Sequence, residues 1–121
     1  MLDHVVLSVD DLAASRAFYE KALEPLGIAV LAEYESSIGL GKENEDSLWL
    51  VERSPASRDV HVAFRCEERS LVDDFYAAAL GAGGEDNGAP GVRETYHPNY
   101  YGAFILDPGG NNIEAVCHKA E

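Results

Sequence analysis

The sequence predicts an α+β fold of two tandem βαβββ modules, and three observations carry that expectation. A β-branched run opens each half of the chain, an amphipathic helical segment follows each run, and the two halves repeat in one ungapped register. His4 and His61 are 57 residues apart, as are Phe18 and Phe75, Tyr19 and Tyr76, Ala22 and Ala79, Leu23 and Leu80, and Gly27 and Gly84. Both halves therefore read His, strand, acidic turn, helix, Phe-Tyr, Ala-Leu, Gly. Neither half is long enough to bury a large core alone, so the two are expected to pack together as one domain over residues 1–121, with module 1 at 1–56 and module 2 at 57–121.

Each element has a local reason. His4 to Val9 is rich in β-branched residues and reads as a strand. Asp10-Asp11 stops it and supplies a side-chain acceptor for the free amides of a helix start. Leu12, Ser15, Phe18, Tyr19, Ala22 and Leu23 recur at helical spacing, so residues 11–24 read as a helix that Pro25 and Gly27 end. Three strands are expected near Ile28–Glu35, Ser37–Leu40 and Ser47–Glu52, with the polar run Lys42 to Asp46 as a turn. Arg53 to Ser57 reads as a linker. In the second half His61–Cys66 is a strand and Glu67–Leu80 a helix with Leu71, Phe75, Tyr76 and Ala79 on its apolar side. A Gly- and Asp-rich loop is expected to run to Pro90-Gly91, with a short strand at Val92–Tyr96. Tyr101–Leu106 and Asn112–His118 close the domain, joined through Asp107-Pro108-Gly109-Gly110-Asn111, whose residues suit a tight turn. That turn has neither the ligand spacing of a calcium loop nor the lysine of a phosphate loop.

Composition narrows the partners. Nine Lys and Arg against 22 Asp and Glu give a net charge of −13, a field that repels nucleic acid and anionic lipid at long range. It leaves room for a small anionic substrate in a locally basic or metal-bearing pocket. No apolar run is long enough to span a bilayer and the first residues lack a basic leader, so the expected location is cytoplasmic. Cys66 and Cys117 have no metal-motif spacing, which suits the same reducing compartment.

The histidines at equivalent places in the two modules draw attention first. Two imidazoles and a carboxylate make a mononuclear metal site with open positions. Glu114, a charge inside the apolar strand Ile113 to Cys117, is the carboxylate that fits. The alternative is that His4 and His61 are half-exposed strand-start residues and Glu114 an ion-pair partner. Strand alternation puts His4, Val6 and Ser8 on one face, as it does His61, Ala63 and Arg65, and Asn112, Glu114, Val116 and His118. A second cluster, Tyr96, His97, Asn99, Tyr100 and Tyr101, suits a pocket mouth, with His97 a candidate acid or base, or else a packed loop. Arg93 and Arg65 are candidate anion binders or partners of surface carboxylates. Trp49, Phe104 and the tyrosines are candidates to line an apolar pocket. His118, near the chain end, reads as a bystander.

The residues resemble the vicinal oxygen chelate superfamily, also called the glyoxalase, bleomycin-resistance and extradiol-dioxygenase superfamily. The opening His4 to Leu12 with Ser15, Phe18 and Tyr19 is similar to its first strand and helix. Gly102 to Glu114 is similar to its closing hairpin, and with the His61 repeat the resemblance covers essentially the whole chain. It implies paired βαβββ modules around a curved-sheet cleft, frequent homodimers, and a divalent metal such as Fe, Mn, Zn or Ni. The metal would be held by histidines of the first and fifth strands and a glutamate of the last, which correspond to His4, His61 and Glu114. It would act as a Lewis acid on adjacent substrate oxygens. In such an enzyme the residues of this chain suggest His97 or Tyr101 to move protons or orient substrate, and Trp49, Arg93, Tyr100 and Phe104 to contact it.

One departure limits the analogy. Glyoxalase I-like members place a further glutamate on the fourth strand, where this chain has Trp49, and Glu52 has the opposite strand parity. That argues against a lactoylglutathione lyase. The chain also lacks the extra length of ring-cleaving dioxygenases. A three-ligand enzyme of the fosfomycin-resistance type, or a metal-free binding protein of the bleomycin-resistance type, remains compatible, as does a purely structural partner if side chains fill the cleft.

Overall fold

The computed structural model describes residues 1–121. Module 1 contains β1 (Val5–Val9), α1 (Leu12–Leu23), a 3-10 turn (Glu24–Leu26), β2 (Ala29–Glu33), β3 (Ser37–Lys42) and β4 (Glu45–Glu52). Module 2 contains β5 (His61–Arg65), α2 (Arg69–Gly81), β6 (Glu85–Val92), β7 (Tyr101–Leu106) and β8 (Asn112–Cys117). Each module forms a four-stranded sheet of the same topology, β1-β4-β3-β2 and β5-β8-β7-β6, in which the first and last strands run parallel.

The internal repeat becomes a structural repeat with small differences of local cause. Asp11 caps α1, its side chain accepting from the Ala14 amide at 3.1 Å. Glu68 occupies the equivalent place before α2 without a side-chain cap. Gly27 and Gly84 match in sequence but serve different needs. Gly27 adopts φ 78°, a left-handed conformation that suits glycine. At Gly84 a Cβ would lie 2.5 Å from Ile105 and 2.8 Å from Phe18, so there glycine permits close packing.

Three sequence expectations are corrected. Residues 85–91, expected as a loop, form β6 together with Val92, and the strand expected at Val92–Tyr96 does not continue past Val92: the chain turns through residues 93–100 instead. β6 is an edge strand with two register irregularities against β7, and an edge accommodates Gly88, Pro90 and Gly91 where a central strand would not. The turn expected over Lys42 to Asp46 is also shorter. Glu43 and Asn44 alone carry positive φ, while Glu45 and Asp46 already pair in β4.

Both sheets turn alternate residues toward the helices, and α1 and α2 pack against each other. One hydrophobic cluster runs through both modules, joining Leu7, Leu48 and Leu50 with Phe18, Tyr19 and Leu23, and Val72 and Phe75 with Ile105, Ile113 and Cys117. Each large apolar side chain buried this way contributes about 1.5–3 kcal/mol. A polar tether crosses the same junction. The fully buried Tyr19 of α1 donates its hydroxyl to Asp107 Oδ2, and Asp107 Oδ1 accepts the amides of Gly109 and Asn111 at 2.9 and 2.8 Å. Asn111 in turn accepts the Val60 amide at 3.0 Å and donates to the Ser57 carbonyl at 3.1 Å. The Asp107 to Asn111 turn is thus the joint between α1, the linker and β8.

The remaining strand residues lie on the far sides of the two sheets, facing away from this core. β1 and β5 are sheet edges, and between them runs an open groove of about 490 Å3 whose lining includes His4, Val5, Ser47, His61 and Ala63.

Candidate functional site

The outward face of the second sheet concentrates polar and aromatic groups. Ala63 pairs with Glu114 across β5 and β8, and Phe104 pairs with Glu114 across β7 and β8. Glu114 is only 1 % exposed although it lies on the outward face. A carboxylate taken out of water needs partners, and it has two. Oε1 is 2.7 Å from Nε2 of the half-exposed His61, and Oε2 accepts the hydroxyl of Tyr100. Gly102 makes room for this arrangement, because a Cβ there would lie 3.2 Å from Glu114 Oε2 and 3.1 Å from the Tyr100 ring. Burial and the Glu114 carboxylate raise the Tyr100 phenol above its ordinary range, so the hydroxyl remains a donor at neutral pH.

Around this centre the 93–100 turn folds over the sheet. His97 Nε2 lies 2.8 Å from His118 Nδ1, and His97 Nδ1 accepts the Asn99 amide at 3.1 Å. With Nδ1 accepting, neutral His97 carries its proton on Nε2 and donates it to His118. Tyr100 packs edge-on to both imidazoles, with Tyr96 against its ring. Phe104 is nearly buried between neighbours that include His61, whose ring centroid is 6.1 Å away, and Arg93, whose guanidinium carbon is 5.4 Å from the ring centroid.

Other sequence candidates lie apart from this centre. Tyr101 points to the helix side of the sheet, donating to Asp73 of α2 at 2.6 Å with the Arg69 guanidinium over its ring, and its phenol is pushed up to about 12 by that bond and by burial. Trp49 is on the outward face of the first sheet, stacked with Tyr34 at 6.0 Å and laid over Gly39. Glu52 accepts the Leu12 amide at 2.9 Å and so caps α1; the β1–β4 pairing is regular through it. Arg65 is exposed on the outward side of β5, opposite Val116. His4, beside β1, bonds its own neighbour Asp3 at 2.7 Å, and no three His, Cys, Asp or Glu side chains come together in the chain as a metal-ligand set.

The structure thus brings His61, Glu114, Tyr100 and Phe104 together, with His97, His118 and Arg93 beside them. Sequence reasoning did not single out Gly102 or Tyr34, and it left His118 aside. For His118 the usable signal was its strand parity with Glu114.

A divalent ion takes imidazole nitrogen and carboxylate oxygen, and His61 and Glu114 offer that pair on adjacent strands. This chain alone supplies two donors of the three a mononuclear site needs.

A paired βαβββ architecture of this topology defines a recognised fold class, and sequence comparison names the family. Residues 1–115 match the family model of the Glyoxalase/Bleomycin resistance protein/Dioxygenase superfamily, and the chain belongs to that superfamily. No curated protein matches the chain. Among solved structures it is similar to a glyoxalase/bleomycin resistance protein from Albidiferax ferrireducens T118, with 28% identity, a TM-score of 0.85, and 98% of this chain and 99% of that chain covered. A glyoxalase/bleomycin resistance protein/dioxygenase family enzyme from Burkholderia phytofirmans PsJN shares the fold at 20% identity and TM-score 0.76, with 97% and 98% covered. A glyoxalase-related enzyme from Fulvimarina pelagi does so at 19% and 0.75, with 97% and 87% covered. No helix is long and apolar enough to cross a membrane.

Proposed function

We propose that the chain acts as a homodimeric, divalent-metal enzyme on a small oxygenated substrate, with His61 and Glu114 of one copy and His4 of a second copy as the ligands. The observation that carries this reading is Glu114 itself, buried on an outward sheet face with its two oxygens divided between His61 and Tyr100. Its partners include an imidazole, so a carboxylate oxygen and a ring nitrogen, the donor types a divalent ion takes, already face each other on adjacent strands.

A second copy is invoked for two reasons. His4 shares a groove with His61 yet reaches only Asp3, and the outward face of the first sheet leaves Val6, Leu31 and Tyr34 exposed. An uncovered apolar sheet face calls for a partner surface.

When bound, the metal would supply Lewis-acid polarisation of adjacent substrate oxygens. The chain's own residues would do the rest. Tyr100, protonated at neutral pH, would donate its hydroxyl proton in a hydrogen bond to Glu114 or to a substrate oxygen. Phe104 and Trp49 would shield the substrate from water. His97, whose Nε2 proton is held by His118, would be the nearest proton relay. Tyr101, on the other side of the sheet, would not take part.

The test is metal content by plasma mass spectrometry on protein purified without a histidine tag, beside His61→Ala. Close to one equivalent of metal per chain is expected in the parent, and loss of most of it in the variant. A parent that stays metal-free after supplementation and dialysis overturns the proposal. It would favour a ligand-binding protein instead, for which the open Trp49–Tyr34 stack is a ready aromatic platform.

A further inference from the structure

The outward face of the second sheet also holds a guanidinium in a fixed place. Arg93 follows β6 and turns back along it. Its Nη2 donates to the Ala89 carbonyl at 2.5 Å, and the guanidinium lies over the Phe104 ring. Two glycines of β6 give it space. A Cβ at Gly91 would lie 2.9 Å from Arg93 Nη1, and one at Gly88 would lie 3.2 Å from Nη2 and 2.8 Å from Phe104. Gly91 has no left-handed φ, so its lack of a side chain serves the arginine rather than the backbone.

The placement is not explained by an ion pair. The chain has 22 carboxylate side chains, and none lies within 4.0 Å of Arg93. Of the five N–H donors of a guanidinium, one is used within the chain. Phe104 neighbours both Arg93 and His61 and pairs across strands with Glu114, so the unused donors lie one side chain away from the His61–Glu114–Tyr100 centre.

We infer that Arg93 is the specificity-determining anion anchor of this site, and that the ligand is a small molecule bearing a carboxylate or phosphonate. The inference rests on the reading of this sheet face as a ligand site, but not on the presence of metal. A planar guanidinium presents parallel donors that match the two oxygens of such a group, and stacking on Phe104 fixes the fork before the ligand arrives. In a chain of charge −13, a prepositioned cation is also what lets an anion approach the buried carboxylate.

The test is a proton–nitrogen chemical-shift titration of the full chain with pyruvate, methylphosphonate and benzoate. Each is compared with a neutral analogue: pyruvamide, dimethyl methylphosphonate and benzamide. The titrations are run with and without added zinc. The variants are Arg93→Gln, which removes the charge, and Gly91→Ala, which keeps the charge but pushes the guanidinium off its seat. Their amide spectra report folding directly. The wild type is expected to favour at least one anion over its neutral analogue by about tenfold or more, from one charge-assisted contact. That preference should vanish in Arg93→Gln and shrink in Gly91→Ala, while metal content stays at the parent value. An Arg93-dependent preference in a protein that binds no metal would uphold the anchor and remove the metal reading. Failure to bind any of the three anions, equal affinity for anion and neutral analogue, or a preference that survives Arg93→Gln would overturn the inference.

Discussion

Val6 pairs with Trp49 in the first sheet, and Ala63, 57 residues further on, pairs with Glu114 in the second. The same backbone position thus carries an indole in one module and a buried carboxylate in the other. On the first sheet Trp49 lies flat over Gly39 beside Tyr34, and the neighbouring outward residues Val6 and Leu31 are apolar and exposed. On the second, Gly102 opens a space that Tyr100 fills to reach Glu114. The two modules share one topology and keep apolar side chains on the helix-facing positions, Leu7 and Leu50 in the first and Phe64 and Ala115 in the second, because both line one common core. The outward faces carry no such constraint and have diverged into an apolar platform and a polar pocket.

The largest effects are expected in the core. If the modules share one core, Leu50→Ala in the first sheet and Ile113→Ala in the second should each destabilise the whole chain by about 2–5 kcal/mol. Both variants should still unfold in a single transition, read by denaturant titration with circular dichroism. Two transitions, with one module unaffected, would mean that the halves fold separately. A smaller effect is expected at the polar joint. Tyr19→Phe leaves buried Asp107 Oδ2 with only the Asn111 amide at 3.3 Å and should cost about 1–3 kcal/mol. Burial and Asp107 raise the Tyr19 phenol far above its ordinary value. An unfolded tyrosine ionises near pH 10, so the stability from keeping this one protonated is complete below about pH 10 and falls as pH rises further. The wild type should therefore lose stability in alkali more steeply than Tyr19→Phe, in thermal melts across that range. The smallest effect belongs to the first sheet's outward face. A Cβ at residue 39 would lie 2.8 Å from the indole of Trp49. Gly39 is buried beneath that indole, so Gly39→Ala should displace the ring, shift tryptophan emission and cost about 1 kcal/mol, the lower end of what overpacking costs. An unchanged emission spectrum would mean that Trp49 does not rest there.

Much of the fold was legible because apolar periodicity and the 57-residue repeat pointed to the same elements. Helix α1 and strand β7 emerged almost at their observed limits. Strand β6 did not, because Asp86-Asn87-Gly88-Ala89-Pro90-Gly91 has turn composition, and only its place at a sheet edge makes that composition tolerable. The site was legible where strand parity decides direction: the parity of β5 and β8 puts His61 and Glu114 on one face. It was not legible at Tyr100 and Tyr101. These neighbours point to opposite faces, and which one faces the site depends on where β7 begins. Nor did the repeat say whether two equivalent histidines belong to one chain's site. Symmetry relates His4 to His61, but both sheets direct their outward faces away from the common core.

If the ligands come from two copies, variants that lack different ligands should complement each other. His4→Ala and His61→Ala proteins should each bind little metal. After joint unfolding and refolding in equal amounts, half of the dimers are mixed, and each mixed dimer regains one intact set: His4 from the His61→Ala copy and His61 with Glu114 from the His4→Ala copy. Plasma mass spectrometry of the refolded mixture should then find about one metal per four chains, where either variant refolded alone holds almost none. A mixture that binds no more metal than the separate variants would contradict the account.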